Sequence, residues 1–368
     1  MILEERDQTA FHSLAARLEV LFGRGPDQAW TDEEFGALAL EVFEVQFTSN
    51  VVYRGFCEGR GVTSASVDDW REIPAVPTRA FKHLDLLSAS PAEATFQTSG
   101  TTSDLGLRGR HLIPRVSLYE ASLLPCFSAH LMPEGKSLRF ISLIPDPEDA
   151  RGSSLSYMVG AAARRFASRT DYVVDGAGVG DHGVLAAALA DAQAAAEAVL
   201  MLGTAFAFMN VMEHSDVCLG PLPQGSRIME TGGFKGRGRA VPRDELYEAM
   251  SRATSVPVER IVNEYGMTEL LSQLYEPVLT GESLGCGHIA PPWLQVRAVD
   301  PTTLRELPEG EAGLLTFFDL ANAGSVAHIL TEDFGAVRDG RVFLEGRAAG
   351  AEPRGCSRAM DELMAVAR

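Results

Sequence analysis

Apolar residues near the start of the chain recur at helical spacing. Thr31-Asp-Glu-Glu34 reads as a capping box, with Thr31 as N-cap and Glu34 reaching back, and Phe35, Leu38, Leu40, Val42 and Phe43 supply the apolar face that follows. Residues 1 to about 60 are expected to be helical. Residues 61 to 95, rich in Pro, Ser and Ala with breakers at Pro74 and Pro77, read as loops and short helices. Beyond residue 95 short apolar runs alternate with helical stretches: strands at 138–144, 172–174, 198–202, 227–229 and 260–262, and an Ala-rich helix over 184–197. This alternation predicts an α/β fold with a largely parallel sheet. Residues 311 to 345 differ. The runs 313–318, 327–330 and 341–344 are short strands between Gly-rich turns and predict a small antiparallel or barrel-like subdomain, and 357–368 predicts one further helix.

Composition narrows the function classes. The 368 residues are 46% hydrophobic and 22% charged, which suits a soluble globular protein. A formal net charge of -18, scattered along the chain, opposes binding to nucleic acid or to an anionic membrane surface. No run approaches the ~20 apolar residues of a membrane span, and the first residues do not read as a signal peptide. Five widely spaced cysteines form neither a disulfide framework nor a CxxC site, so a cytoplasmic setting is expected.

The strongest local signal is Phe96-Gln-Thr-Ser-Gly-Thr-Thr-Ser103. It gathers hydroxyls and backbone donors around Gly100, where the backbone can approach a ligand closely and wrap phosphate oxygens. It is not a Walker A loop, and taken alone it also reads as a polar turn. Three more segments each follow an apolar run: Asn263-Glu-Tyr-Gly-Met-Thr-Glu269, Thr331-Glu-Asp333 and Gly346-Arg347. A competing signal, Gly178-Val-Gly-Asp-His-Gly183, has dinucleotide-loop spacing, but the next strand ends at Leu202-Gly203 without the required acid; it is read as a strand-to-helix loop. His111 is read either as a phosphate or substrate contact or as a surface loop residue.

In this order the four segments resemble the adenylate-forming superfamily of acyl-CoA synthetases, peptide-synthetase adenylation domains and firefly luciferase. The resemblance implies that Ser99, Gly100, Thr101 and Thr102 hold the ATP phosphates, and that Tyr265 stacks on adenine. It gives Thr268 to the α-phosphate, Glu269 to Mg²⁺, Asp333 to the ribose hydroxyls and Arg347 to ribose or phosphate. Further segments, among them Asn50–Cys57, Ile73–Lys82, Ser153–Met158, Leu202–Phe206, Thr231–Lys235 and Arg354–Ser357, make the chain similar to LuxE-type acyl-protein synthetases. That resemblance implies an acyl pocket at Gly203, Thr204, Ala205 and Phe206, and a nucleophile at Cys356. The residues around Cys356 agree: Arg354, Arg358 and a helix start favour thiolate, and Gly350 and Gly355 allow the tail to swing.

The implied fold is an α/β adenylate-forming core over 1–345, with a helical N-terminal part to about 60 and a small β subdomain over about 285–345, followed by a truncated C-terminal tail, 346–368, that carries Cys356. Wider relatives add a C-terminal domain of ~100 residues with a lysine that assists adenylation; no lysine follows Arg347 here. The implied activity is ATP- and Mg²⁺-dependent conversion of a carboxylic acid to acyl-AMP. The acyl group then passes to Cys356 and a partner, or to CoA or a carrier-protein thiol. An acyl-CoA reductase or an acyl carrier protein would be the partner. The alternatives are an acyltransferase that moves a preformed acyl group from acyl-CoA without adenylation, and a non-catalytic binder of an aromatic acid.

Overall fold

The computed structural model describes residues 5–98, 108–176, 180–214, 219–232, 241–347 and 353–367. They fall into two compact units. One comprises Met1–Pro125, Met267–Ser272 and Ile289–Arg368, the other Cys126–Gly266 and Gln273–His288.

Three helices come first: α1 (Glu5–Phe22), α2 (Asp32–Ser49) and α3 (Val51–Gly59). The Glu34 N–H donates to the Thr31 hydroxyl at 3.1 Å, and the Thr31 N–H donates to the Glu34 carboxylate at 2.8 Å, so the capping box forms as expected. A cap of this kind contributes about 1 kcal/mol. A short strand β1 (Val76–Pro77) precedes the antiparallel pair β2 (Ala94–Gln97) and β3 (Arg110–Ile113). Residues 99–107, which join that pair and include Ser99, Gly100, Thr101 and Thr102, lie outside the described residues. Helix α4 (Val116–Leu131) follows.

The second unit is the expected alternation of strand and helix. It runs β4 (Leu138–Ser142), α5 (Ser154–Phe166), β5 (Ala167–Tyr172), α6 (His182–Ala194), β6 (Val199–Thr204), α7 (Ala205–His214), β7 (Arg227–Thr231), α8 (Arg243–Thr254), β8 (Ile261–Tyr265) and β9 (Leu274–Tyr275). Strands β5-β4-β6-β7-β8 are parallel in that order, with β9 antiparallel on β8. β4 and β7 are buried along their whole length, including the polar Arg139, Arg227 and Glu230 that they carry. Leu185 and Leu189 of α6, Phe208 and Val211 of α7, and Leu246 and Met250 of α8 pack on Ile141, Met201, Ile228 and Ile261 of the strands. The strand expected at 172–174 lies earlier, at 167–172, where Asp171 pairs with the buried Arg139 of β4 at 2.7 Å. β4 has β5 on one side and β6 on the other, so the winding reverses beside it. Ligands of open α/β sheets bind beyond the carboxyl ends of the strands at such a switch point.

After β10 (His288–Ile289) the first unit resumes with antiparallel strands β11 (Leu294–Val299), β12 (Gly313–Asp319), β13 (His328–Arg338) and β14 (Arg341–Arg347). β1 lies parallel to β13. The run expected at 327–330 is thus the start of an eleven-residue strand. Helix α9 (Arg354–Val366) begins three residues earlier than 357. The N-terminal helices share this unit: Phe22 of α1 stacks on the buried Trp293 at 4.6 Å, and the Gln46 amide of α2 donates to the carbonyls of Asn322 and Ala323 at 3.0 and 3.2 Å. No described helix is long and apolar enough to cross a membrane.

Candidate active site

Parallel register does in the second unit what sequence distance hides. Thr204 at the end of β6 lies opposite Thr231 of β7, and Thr231 lies opposite Glu264 of β8, one residue before Tyr265. Neighbouring strands are about 4.8 Å apart, so the implied acyl-pocket segment and the implied adenine platform share one edge, at the carboxyl ends of adjacent strands. Gly203 is the last but one residue of β6, and a Cβ there would meet the Phe208 ring at 2.8 Å. The Thr204 hydroxyl accepts from the Ala207 N–H at 3.1 Å and caps α7. Ala205 is buried, while Phe206 is 39% exposed.

Beneath this edge lies a polar network not anticipated from the sequence. The His288 Nε2–H donates to Asn263 Oδ1 at 2.6 Å, and the Asn263 amide donates to the Glu230 carboxylate. That carboxylate also accepts from the Tyr247 hydroxyl at 3.1 Å and from the Ala205 N–H at the start of α7. Burial pushes the Glu230 carboxyl up to about 7, and its hydrogen bonds oppose the rise. An acid inside the run Ile228-Met-Glu-Thr231 was the one signal available in the sequence. Next to it Thr231 donates to Glu264, whose Oε1 lies 2.5 Å from where a Gly266 Cβ would stand, so a side chain at 266 would displace that carboxylate.

In the first unit the segment Met267–Ser272 carries Thr268 and Glu269, both half-buried. The His111 Nδ1–H donates to the Thr268 carbonyl at 2.7 Å, and the Asn322 amide donates to the Glu269 carbonyl at 2.8 Å. Asp319 accepts from the N–H groups of Leu271 and Ser272, both at 2.9 Å, and from the Ser272 hydroxyl at 2.7 Å. His111 is fully buried and its pKa falls to about 4 because the cation would be desolvated. It is therefore neither a phosphate contact nor a surface residue: β3 places it inside, edge-on to Phe81. Asp333 and Arg347 face each other across β13 and β14, and the Arg347 guanidinium donates to the Asp333 carboxylate at 3.3 Å.

The family model for acyl-protein synthetase, LuxE, matches residues 27–365. The chain belongs to the LuxE family. A Vibrio harveyi protein called long-chain-fatty-acid–luciferin-component ligase is 25% identical over 342 residues, 89% of this chain and 87% of its own. An Aliivibrio fischeri protein of the same name is 24% identical over 326 residues, 85% and 82% of the two chains. Among solved structures, 2-hydroxyisobutyryl-CoA ligase in complex with 2-HIB-AMP and CoA is similar with a TM-score of 0.63 at 15% identity, over 90% of this chain and 69% of that one. ATP-bound MatB from Rhodopseudomonas palustris is similar with a TM-score of 0.51 at 16% identity; 71% of this chain aligns and spans 48% of MatB. These likenesses establish the α/β fold of adenylate-forming enzymes.

The setting of Cys356 corrects two expectations. Cys356 lies in the first turn of α9 and not just before the helix, and it is 2% exposed and packs with Val299, Leu314 and Leu330. Its sulfur donates weakly to the Thr331 carbonyl at 3.9 Å, two residues from Asp333. Arg354 and Arg358 lie on the exposed side, and Arg358 pairs with Glu362. Each residue turns a helix by about 100°, so neighbours two positions away face the other side. Gly355 is a packing residue and not a hinge: a Cβ there would meet Leu304 at 2.6 Å and the Pro301 carbonyl at 2.8 Å. Gly350 lies outside the described residues.

Proposed function

We propose that this chain uses ATP to convert a carboxylic acid, a long-chain fatty acid in the first instance, into acyl-AMP, and passes the acyl group through Cys356 to a partner. The membership of residues 27–365 in the acyl-protein synthetase family carries this reading. The fatty acid is suggested by the names of the Vibrio harveyi and Aliivibrio fischeri relatives.

In the first step a carboxylate oxygen attacks the α-phosphorus and pyrophosphate leaves. Two anions must be brought together, so fixed donors and a cation are required. The Thr268 hydroxyl serves the α-phosphate, and Asp333 with Arg347 serves the ribose. Among the described residues no three His, Cys, Asp or Glu side chains gather into a metal cage. Mg²⁺ held by one carboxylate and by nucleotide phosphates needs no such cage, so the half-buried Glu269 fits that role. In the second step the Cys356 thiolate attacks the acyl carbonyl and AMP leaves. The sulfur is closed off from solvent while α9 is docked, so acylation requires α9 to lift. A reductase, a carrier protein or CoA would then take the acyl group.

ATP–pyrophosphate exchange over straight-chain fatty acids and aryl acids tests the first step, and exchange with a fatty acid is expected. Absence of exchange with every acid, together with acyl transfer from acyl-CoA without ATP, would reject the ligase reading in favour of a plain acyltransferase.

A further inference from the structure

Three side chains from distant parts of the first unit converge on the backbone of Thr268–Ser272. His111 comes from β3, Asp319 from the end of β12, and Asn322 from the turn after it. Each polar atom has a defined direction. A carbonyl can only accept, so His111 carries its proton on Nδ1, facing the Thr268 carbonyl at 2.7 Å. Its Nε2 is then a bare acceptor, buried, with no hydrogen-bond partner among the described residues. The Asn322 amide nitrogen faces two carbonyls, those of Glu269 at 2.8 Å and Val326 at 3.3 Å, which leaves Oδ1 as a second buried acceptor in the same condition.

His111 and Asn322 line one cavity of about 10 Å³, walled by Phe11, Ile113, Leu118 and Leu271. That volume holds about one water and nothing larger. Each of these two lining residues brings one buried acceptor, and a water carries two donors.

Asp319 completes the arrangement. The Trp293 N–H donates to the Ser122 hydroxyl at 2.8 Å; Ser122 lies 2.9 Å from the Ser272 hydroxyl; and the Ser272 O–H donates to Asp319 at 2.7 Å. Since Ser272 spends its proton on the carboxylate, Ser122 must donate to Ser272. The chain of donors has one possible direction and ends on Asp319.

We propose that His111, Asn322 and Asp319 are positioning residues for adenylation, holding the backbone of residues 268–272 so that the Thr268 hydroxyl and the Glu269 carboxylate are preset, and that a single buried water bridges His111 Nε2 and Asn322 Oδ1. This rests on the roles given to Thr268 and Glu269 above. A displacement of about 1 Å at a reacting group costs on the order of a hundredfold in rate, so a loosened backbone is read in the chemical step.

His111→Ala should lower kcat for ATP–pyrophosphate exchange at least about tenfold with the acid KM unchanged. His111→Asn, whose amide nitrogen stands where Nδ1 stood, should recover most of that loss, whereas His111→Gln, which reaches further out, should not. Hydrogen exchange at the amides of 266–273 reads the clamp without any turnover: it should speed up in His111→Ala and Asn322→Ala and slow again in His111→Asn. A crystal structure at high resolution should show one water within hydrogen-bonding distance of both acceptors. Unchanged kcat in folded His111→Ala, or amide exchange at 266–273 equal to the parent's, overturns the clamp, and a cavity without a water peak overturns the bridge. If the parent enzyme exchanges pyrophosphate with no acid, the ligase reading fails while amide exchange still decides the clamp.

Discussion

The proposed reaction gives one half to Glu269 and the other to Cys356, and the surroundings of the two residues differ. Glu269 is half-buried with its main chain held by Asn322, so changing only its charge leaves the packing alone. Glu269→Gln is expected to lower ATP–pyrophosphate exchange roughly a hundredfold or more, the size typical for loss of one electrostatic group in a transition state, with the melting temperature unchanged. An equal loss of stability would mean the carboxylate is structural. For Cys356, intact mass after incubation with ATP and acid should show a thioester that Cys356→Ala lacks while retaining pyrophosphate exchange; label persisting in the alanine variant would assign the thiol elsewhere. Gly203 belongs to the same scale. Adding a methyl 2.8 Å from the Phe208 ring should cost about 1–3 kcal/mol by overpacking, measurable by urea denaturation of Gly203→Ala.

At the scale of elements the decisive one is α9. Gly55 of α3 leaves space for Val366, which would lie 2.3 Å from a Cβ at position 55, and Arg60 pairs with Glu362 at 2.7 Å. The helix is thus docked by its buried Cys356, Ala359 and Leu363, by the close glycine contacts at Gly55 and Gly355, and by one partly exposed ion pair, the last worth about 1 kcal/mol or less. A docked helix shields the thiol. Gly355→Ala, which drives a methyl into Leu304, should therefore speed labelling of Cys356 by a maleimide while leaving pyrophosphate exchange in place. Labelling no faster than in the parent would show that the thiol is already reachable. The existence of this helix was legible in the sequence to within three residues of its start, but which face it buries was not, because flanking charges announce solvent on one side without saying what lies on the other.

Whole-molecule stability carries the buried titrating groups. The Glu230 carboxyl is raised by burial from 4.5 to about 7, so its contribution to stability is complete below pH 4.5 and is lost as the pH rises through 7. The shift corresponds to on the order of 3 kcal/mol. Glu230→Gln should gain stability relative to the parent across that window and hold the gain above it; a stability difference independent of pH would reject the assignment. Two histidines work in the other direction. Burial lowers His111 from 6.5 to about 4 and His328 to about 3, so the stability they preserve is present above pH 6.5 and lost as the pH falls toward those values.

Local spacing by itself determined the helical start, the capping box at Thr31, the strand–helix alternation from β4 to β8 and the antiparallel group after it. These depend on periodicity and end signals within about ten residues, which a chain carries in any context. The ordered motifs likewise carry the likeness to the LuxE family. Tertiary structure alone decided the rest: that His111 supports Thr268 from 157 positions away, that Thr204, Thr231 and Glu264 stand side by side, and that Cys356 faces inward. Such facts follow from register and from which helix face meets which strand. They are set by packing energies summed over the molecule, and residue order alone does not reveal them.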